Sequence, residues 1–134
     1  MATTSDGTTA RTNDNRVTIA DDGAVTAKGF MGYSGATTFP DYVFQKYYTG
    51  TSSLKADYSF KTLSQVEDFV KTNGHLPGYQ SAEAIKKQGY IDLMATQLTN
   101  VEKIEELYLH LLEKDKEVKE LKARLEKLEA LLAK

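Results

Sequence analysis

The side chains that could do chemistry in this 134-residue chain are few, and their spacing argues against a catalytic centre. The two histidines, His75 and His110, are separated by 35 positions, with no HExxH pattern around either. There is no cysteine, so thiolate catalysis, disulfides and Cys-ligated zinc are excluded. Neither a GxSxG elbow, a P-loop nor a dinucleotide fingerprint occurs. The acidic pairs Glu67-Asp68 and Glu105-Glu106 read as solvated helix charges, not as two carboxylates facing each other across a cleft. Asn13-Asp14-Asn15 and Asp21-Asp22 lack the acidic spacing and closing Glu of a calcium loop and read as turn residues. His75 sits in Asn73-Gly74-His75-Leu76-Pro77-Gly78, which is punctuated like a corner. Asn73-Gly74 suits a left-handed helix stop, Leu76 is expected to be the buried residue of the link, and Pro77-Gly78 suits a type II turn. The expectation is a non-enzymatic protein with no catalytic residues, no cofactor and no metal site.

Charge gives no direction either. Residues 1–60 carry five Lys/Arg and six Asp/Glu, and residues 61–134 carry twelve and thirteen. No basic patch invites nucleic acid or an anionic membrane. No apolar run approaches the roughly 20 residues of a membrane span, and Met1 to Asn15 is polar and Thr-rich, unlike a signal peptide.

Four regions must position whatever function there is. Residues 1–15 read as a disordered lead-in. Residues 16–38 hold short strands: Val17 and Ile19 alternate with Thr18, Asp22-Gly23 turns the chain, and Val25 and Ala27 share a face. Strands this short need others, which neighbouring copies of the chain could supply. Residues 39–91 form a small tyrosine-rich domain. Pro40 sets an extended approach to Asp41-Tyr42-Val43-Phe44, and two short helices follow. The first places Leu63, Val66, Phe69 and Val70 on one face behind a Thr62/Gln65 capping box. The second runs from a Ser81 cap to Gly89. The tyrosines allow two readings: a carbohydrate-binding surface including Tyr47, Tyr48 and Tyr58, or rings covering a small core with wet hydroxyls.

From Asp92 to Lys134 there is neither Gly nor Pro. Ile104, Leu111, Val118, Leu125 and Leu132 recur every seven residues as heptad position a. Leu107, Leu121 and Leu128 fill d, with Asn100 and Lys114 as polar interruptions that fix register. In a parallel, in-register assembly each g residue faces the e residue five places on in the next chain. The pairs are then His110–Asp115, Glu117–Lys122 and Arg124–Glu129, two of them oppositely charged and the first so when His110 is protonated. This predicts a parallel homo-oligomer, dimer or trimer. Met94, Val101 and Tyr108 at e widen the apolar face and are expected to pack on the short helices as well as on symmetry mates.

The ordered set "FPDYVFQKYY" (39–48), "LSQVEDFVKTNGHLPG" (63–78), "SAEAI" (81–85) and "VEKIEELYLHLLEKDKEVKEL" (101–121) resembles a C-terminal module of bacterial tail-fibre-like trimeric surface proteins and adhesins. That module is in turn similar to the intramolecular chaperone domain of endosialidase-type phage fibres. Residues 23–38 are similar to the shaft-end repeats that precede it. The resemblance implies an α+β fold in which strands of a fibre-shaft end precede a small helical domain and a parallel trimeric coiled coil. It implies an exported protein at the cell surface or outside it, whose partner is itself, or a glycan or another cell surface if the tip binds a receptor. Chaperones of that type that cut themselves off do so at a serine in an SD-R-K type motif at the domain's start. Ser52-Ser53-Leu54-Lys55 is the nearest stretch here and lacks the Asp and Arg, so self-cleavage is not expected.

Overall fold

A computed structural model describes residues 17–32 and 38–133; the expected lead-in over residues 1–15 lies outside the described residues. The chain divides into two compact units, Met1–Gly35 and Ala36–Lys134. Among the described residues they hold one two-stranded sheet and four helices, the last very long, an α+β composition.

In the first unit β1 (Val17–Ile19) pairs antiparallel with β2 (Val25–Ala27), with Val17 opposite Ala27 and Ile19 opposite Val25. The turn closes as Asp22-Gly23 predicts. Gly23 adopts φ 91°, its N–H donates to the Ala20 carbonyl at 2.9 Å, and the Asp22 carboxylate accepts from Ala24 N–H at 3.0 Å. Val17, Ile19 and Val25 all remain exposed on one face. Two strands alone are marginal in water, so this hairpin is an incomplete element.

The second unit begins with a helix that the sequence reading left as irregular chain: α1, Tyr42–Thr49. Glycine breaks on either side and the tyrosine content masked a short amphipathic pattern whose inward residues, Tyr42 and Val43, are both buried. Gly50, with φ 85°, stops the helix through its N–H to the Lys46 carbonyl at 2.8 Å. Helices α2 (Leu63–Asn73) and α3 (Ala82–Gln88) form as the sequence predicts. The Thr62/Gln65 box is reciprocal, with bonds of 3.1 and 2.9 Å, and the Ser81 hydroxyl accepts from Ala84 N–H at 3.0 Å. Helix α4 spans Leu93–Leu132, 40 residues or about 60 Å, and starts at Asp92, whose carboxylate accepts from Ala95 N–H at 3.0 Å.

The core is small: Tyr42 and Val43 of α1, Tyr58 of the following loop and Leu109 of α4, with Phe60 packed beside them. No residue of α2 or α3 is fully buried, so these helices shield the core's edge without building it.

The corner between α2 and α3 corrects one expectation. Leu76 stays 48% exposed and Pro77 is the buried residue. The type II turn is present: Gly78 takes φ 89° and Tyr79 N–H donates to the Leu76 carbonyl at 3.4 Å. Gly78 also lies where a Cβ would meet the Lys103 side chain at 3.2 Å and Thr99 at 3.4 Å, so the corner approaches α4 closely enough that a side chain there would press the Lys103 and Thr99 side chains aside, on top of its positive φ. His75 lies edge-on to Phe69 at 5.5 Å, and its Nδ1 is 2.9 Å from the Leu76 carbonyl. It is a turn residue that bonds locally. Gly78→Ala should cost at least the roughly 1–2 kcal/mol of a left-handed alanine. Gly74→Ala, at φ 77° in open space, should cost less. Urea denaturation of the two variants at one pH checks the order.

Candidate functional site

Helix α4 presents two faces with different fates. On one, Glu105, Leu109 and His110 are buried beneath the small domain. On the other, all eight predicted seam residues, Ile104, Leu107, Leu111, Val118, Leu121, Leu125, Leu128 and Leu132, are 46–79% exposed. The seam is therefore an apolar stripe, interrupted at Lys114, that the described residues leave largely uncovered. Of the e residues, Met94 and Tyr108 are exposed and Val101 is half-buried; the start of α4 does meet the two short helices and their corner, but through Ala95, Thr99, Lys103, Glu106 and Leu107.

The covered face is joined by polar contacts. Tyr42 donates its hydroxyl to Glu102 Oε1 at 2.6 Å, and burial, with Glu102 beside it, pushes that phenol up, so it remains a neutral donor. Lys103 Nζ lies 2.9 Å from Glu106 Oε1 and 3.2 Å from Glu102 Oε2. Tyr79 donates to Asn100 Oδ1 at 2.7 Å, so the first polar layer of the seam is already held by the chain's own corner. The second, Lys114, pairs with Glu117 at 3.2 Å in the open.

His110 is not available to a neighbour's Asp115. It stacks on Phe60, with ring centroids 4.6 Å apart and planes 25° from parallel, and is buried, while Asp115 pairs with Lys119 at 2.9 Å in its own chain. A flat apolar partner next to the helix captured the imidazole. Lys122, Arg124 and Glu129 make no ion pair within the chain among the described residues, which leaves those flanking charges free.

Glu105 overturns the reading of Glu105-Glu106 as solvated charges. It is 5% exposed, and neither carboxylate oxygen has a hydrogen-bond partner among the described residues. Burial first, then the Asp41 carboxyl facing it, push Glu105 up to about 7. A protonated Glu105 can donate to Asp41; an ionised one places two like charges together in poor solvent. Glu106 is the ordinary member of the pair, neutralised by Lys103.

The tyrosines do not form one surface. Tyr58 is 8% exposed and belongs to the core. Tyr47 donates to Glu113 Oε1 at 2.9 Å, and Tyr48 lies edge-on to it at 5.1 Å and is 67% exposed. Ser52 is buried and committed to a turn: its hydroxyl donates to Gln45 Oε1 at 2.6 Å and accepts from the Leu54 and Lys55 N–H groups. No family model, curated protein or solved structure matches the chain.

The Glu105 environment carries a pH signature. An acid whose folded value is raised contributes fully below its unfolded value, here 4.5, and loses that contribution as pH rises toward about 7. Unfolding free energy should therefore fall across that window. Glu105→Gln, which can donate to Asp41 at any pH, should match the parent near pH 4.5 and exceed it by about 1–3 kcal/mol at pH 8. Urea titrations at the two pH values measure this.

Proposed function

We propose that this chain is a non-enzymatic trimerisation, registration and capping module, chaperone-like in its own chain, at the C-terminal end of a bacterial tail-fibre-like surface fibre or adhesin. One observation carries the reading: an a/d stripe from Ile104 to Leu132, broken only at Lys114, stands open along α4 while the core of the small domain occupies the opposite face. Burying such a side chain fully contributes about 1.5–3 kcal/mol. The seam residues are about half exposed, so eight of them in each chain outweigh the about 4–15 kcal/mol cost of association. The flanking charges favour a parallel partner of the same sequence through Arg124–Glu129, whose members are free among the described residues, and through Glu117–Lys122, in which Glu117 exchanges its 3.2 Å contact with Lys114; such pairs select orientation more than they supply stability. The preference for three chains over two, and the exported fibre context, follow from the resemblance of residues 39–121. The open face of the β1–β2 hairpin supports it, because the strands that would cover Val17, Ile19 and Val25 are naturally supplied by neighbouring copies. No described helix is long and apolar enough to cross a membrane.

A second reading, a tip that binds a glycan or another cell surface, is favoured by the exposed Tyr48 with Tyr47 edge-on beside it. Glycan-array binding that Tyr48→Ala abolishes would assign that role.

Sedimentation equilibrium tests the main reading. At micromolar concentration the chain should sediment at three times its 14.9 kDa mass, and Leu111→Ala with Leu125→Ala should reduce it to a monomer of unchanged mass. A monomeric parent chain would overturn the proposal, and a stable dimer would overturn the trimer.

A further inference from the structure

We propose that Tyr108 of a second copy docks in the cleft between α2 and α4, so that each small domain grips the helix of its neighbour. The inference rests on the parallel coiled-coil reading and adds a contact outside the seam. The cleft encloses about 80 Å³. Leu63 and Val66 of α2 and Leu76 and Pro77 of the corner form one wall. Leu107 and the g residues Lys103 and His110 form the other. Leu63, Leu76 and Leu107 are all exposed there, so the apolar walls lack an occupant among the described residues.

The register identifies the occupant. A g residue faces the e residue five places on in the next chain, which brings Tyr108 of the neighbour against Lys103 at the cleft's edge. Tyr108 is a large aromatic at e, 58% exposed and stacked on no ring among the described residues. It cannot fill its own chain's cleft, because it lies roughly 140–160° around α4 from Lys103 and His110. A tyrosine also suits the chemistry. Its ring meets leucine, valine and proline, and its hydroxyl emerges beside the Lys103–Glu106 ion pair, itself 2.9 Å long. With the cleft on the g flank and Tyr108 on the e flank, the contact repeats around a closed ring of parallel chains.

The test uses the full chain with p-benzoylphenylalanine in place of Tyr108, mixed in isotopically labelled and unlabelled forms and irradiated. Crosslinks joining labelled to unlabelled chains at Lys61–Val66 or Leu76–Pro77 are expected. In parallel, Tyr108→Ala should weaken assembly about tenfold by sedimentation, whereas Tyr108→Phe and Leu112→Ala should change it less than about twofold. Tyr108 is exposed in the monomer, so circular dichroism of all three variants should match the parent. An assembled chain that crosslinks only along α4, or that tolerates Tyr108→Ala, overturns the docking while leaving the coiled coil standing. A monomeric parent chain overturns both.

Discussion

Leu109 sets the rotation of the long helix, and most of the structure follows from that. Its side chain is 1% exposed, enclosed with Val43, Tyr42 and Tyr58. Leu109 occupies heptad position f, which lies roughly half a turn around the helix from the midpoint of a and d. Once it is buried against α1, the seam faces away from the core, and the small domain reaches it only at its edge, at Asn100 and Leu107. The residues beside it on the covered face, Glu102, Lys103, Glu106 and His110, are the ones a bare coiled coil would leave in water. Here they must each find a partner from the domain or from one another, and Tyr42, Phe60 and the Lys103–Glu106 pair provide them. One leucine therefore accounts both for the polar joint on the inner side and for the apolar stripe left over on the outer side.

What could be read from the sequence divides along the same line. Features with a local cause were legible. The Thr62/Gln65 box, the Ser81 cap, the glycine stops and the Asp22-Gly23 turn each depend on residues within a few positions, and the heptad stripe depends only on period. The errors all involve contacts distant in sequence. Helix α1 was missed because its inward face is only Tyr42 and Val43, whose burial partners lie some fifteen and sixty-six residues away at Tyr58 and Leu109. Glu105 reads as a solvated charge because nothing near it in sequence says that Asp41 and α1 cover it. His110 was assigned to an interchain pair because Phe60 cannot be seen from the heptad. Tyr58 and Tyr48 look alike as letters, and only the fold puts one in the core and the other in water.

The joint between α1 and α4 also holds two unfavourable features at one place. Asp41 adopts φ 147° and ψ −14°, an uncommon conformation for a residue other than glycine, and makes no side-chain bond to cap α1. Strain of that kind costs about 1–3 kcal/mol. Its carboxyl instead faces the buried Glu105. A carboxyl pair that is favourable only with a shared proton, beside a strained backbone, makes the small domain's hold on α4 sensitive to pH. The seam below it is aliphatic apart from Asn100 and Lys114.

The two halves of the molecule then need each other in a particular way. Four buried hydrophobic side chains are a slender core for a unit of this size, and α2 and α3 contribute none of them. An isolated copy would keep the domain on α4 largely through local caps and the polar joint, so opening there is inexpensive compared with unfolding the helix. Association changes that balance. If the seam brings a second helix alongside, the cleft wall formed by α2 and the 76–77 corner becomes a three-body contact, and the domain gains burial it cannot supply alone. Assembly and domain docking are then coupled by linkage: whatever stabilises the docked domain favours the oligomer by the same free energy, and the reverse holds equally. In that arrangement a small, weakly cored domain is an advantage. It would stay loosely held on a lone chain and lock when the correct parallel register presents Tyr108 of a neighbour at the height of Lys103, and a misregistered pairing would leave both the seam and the cleft unsatisfied.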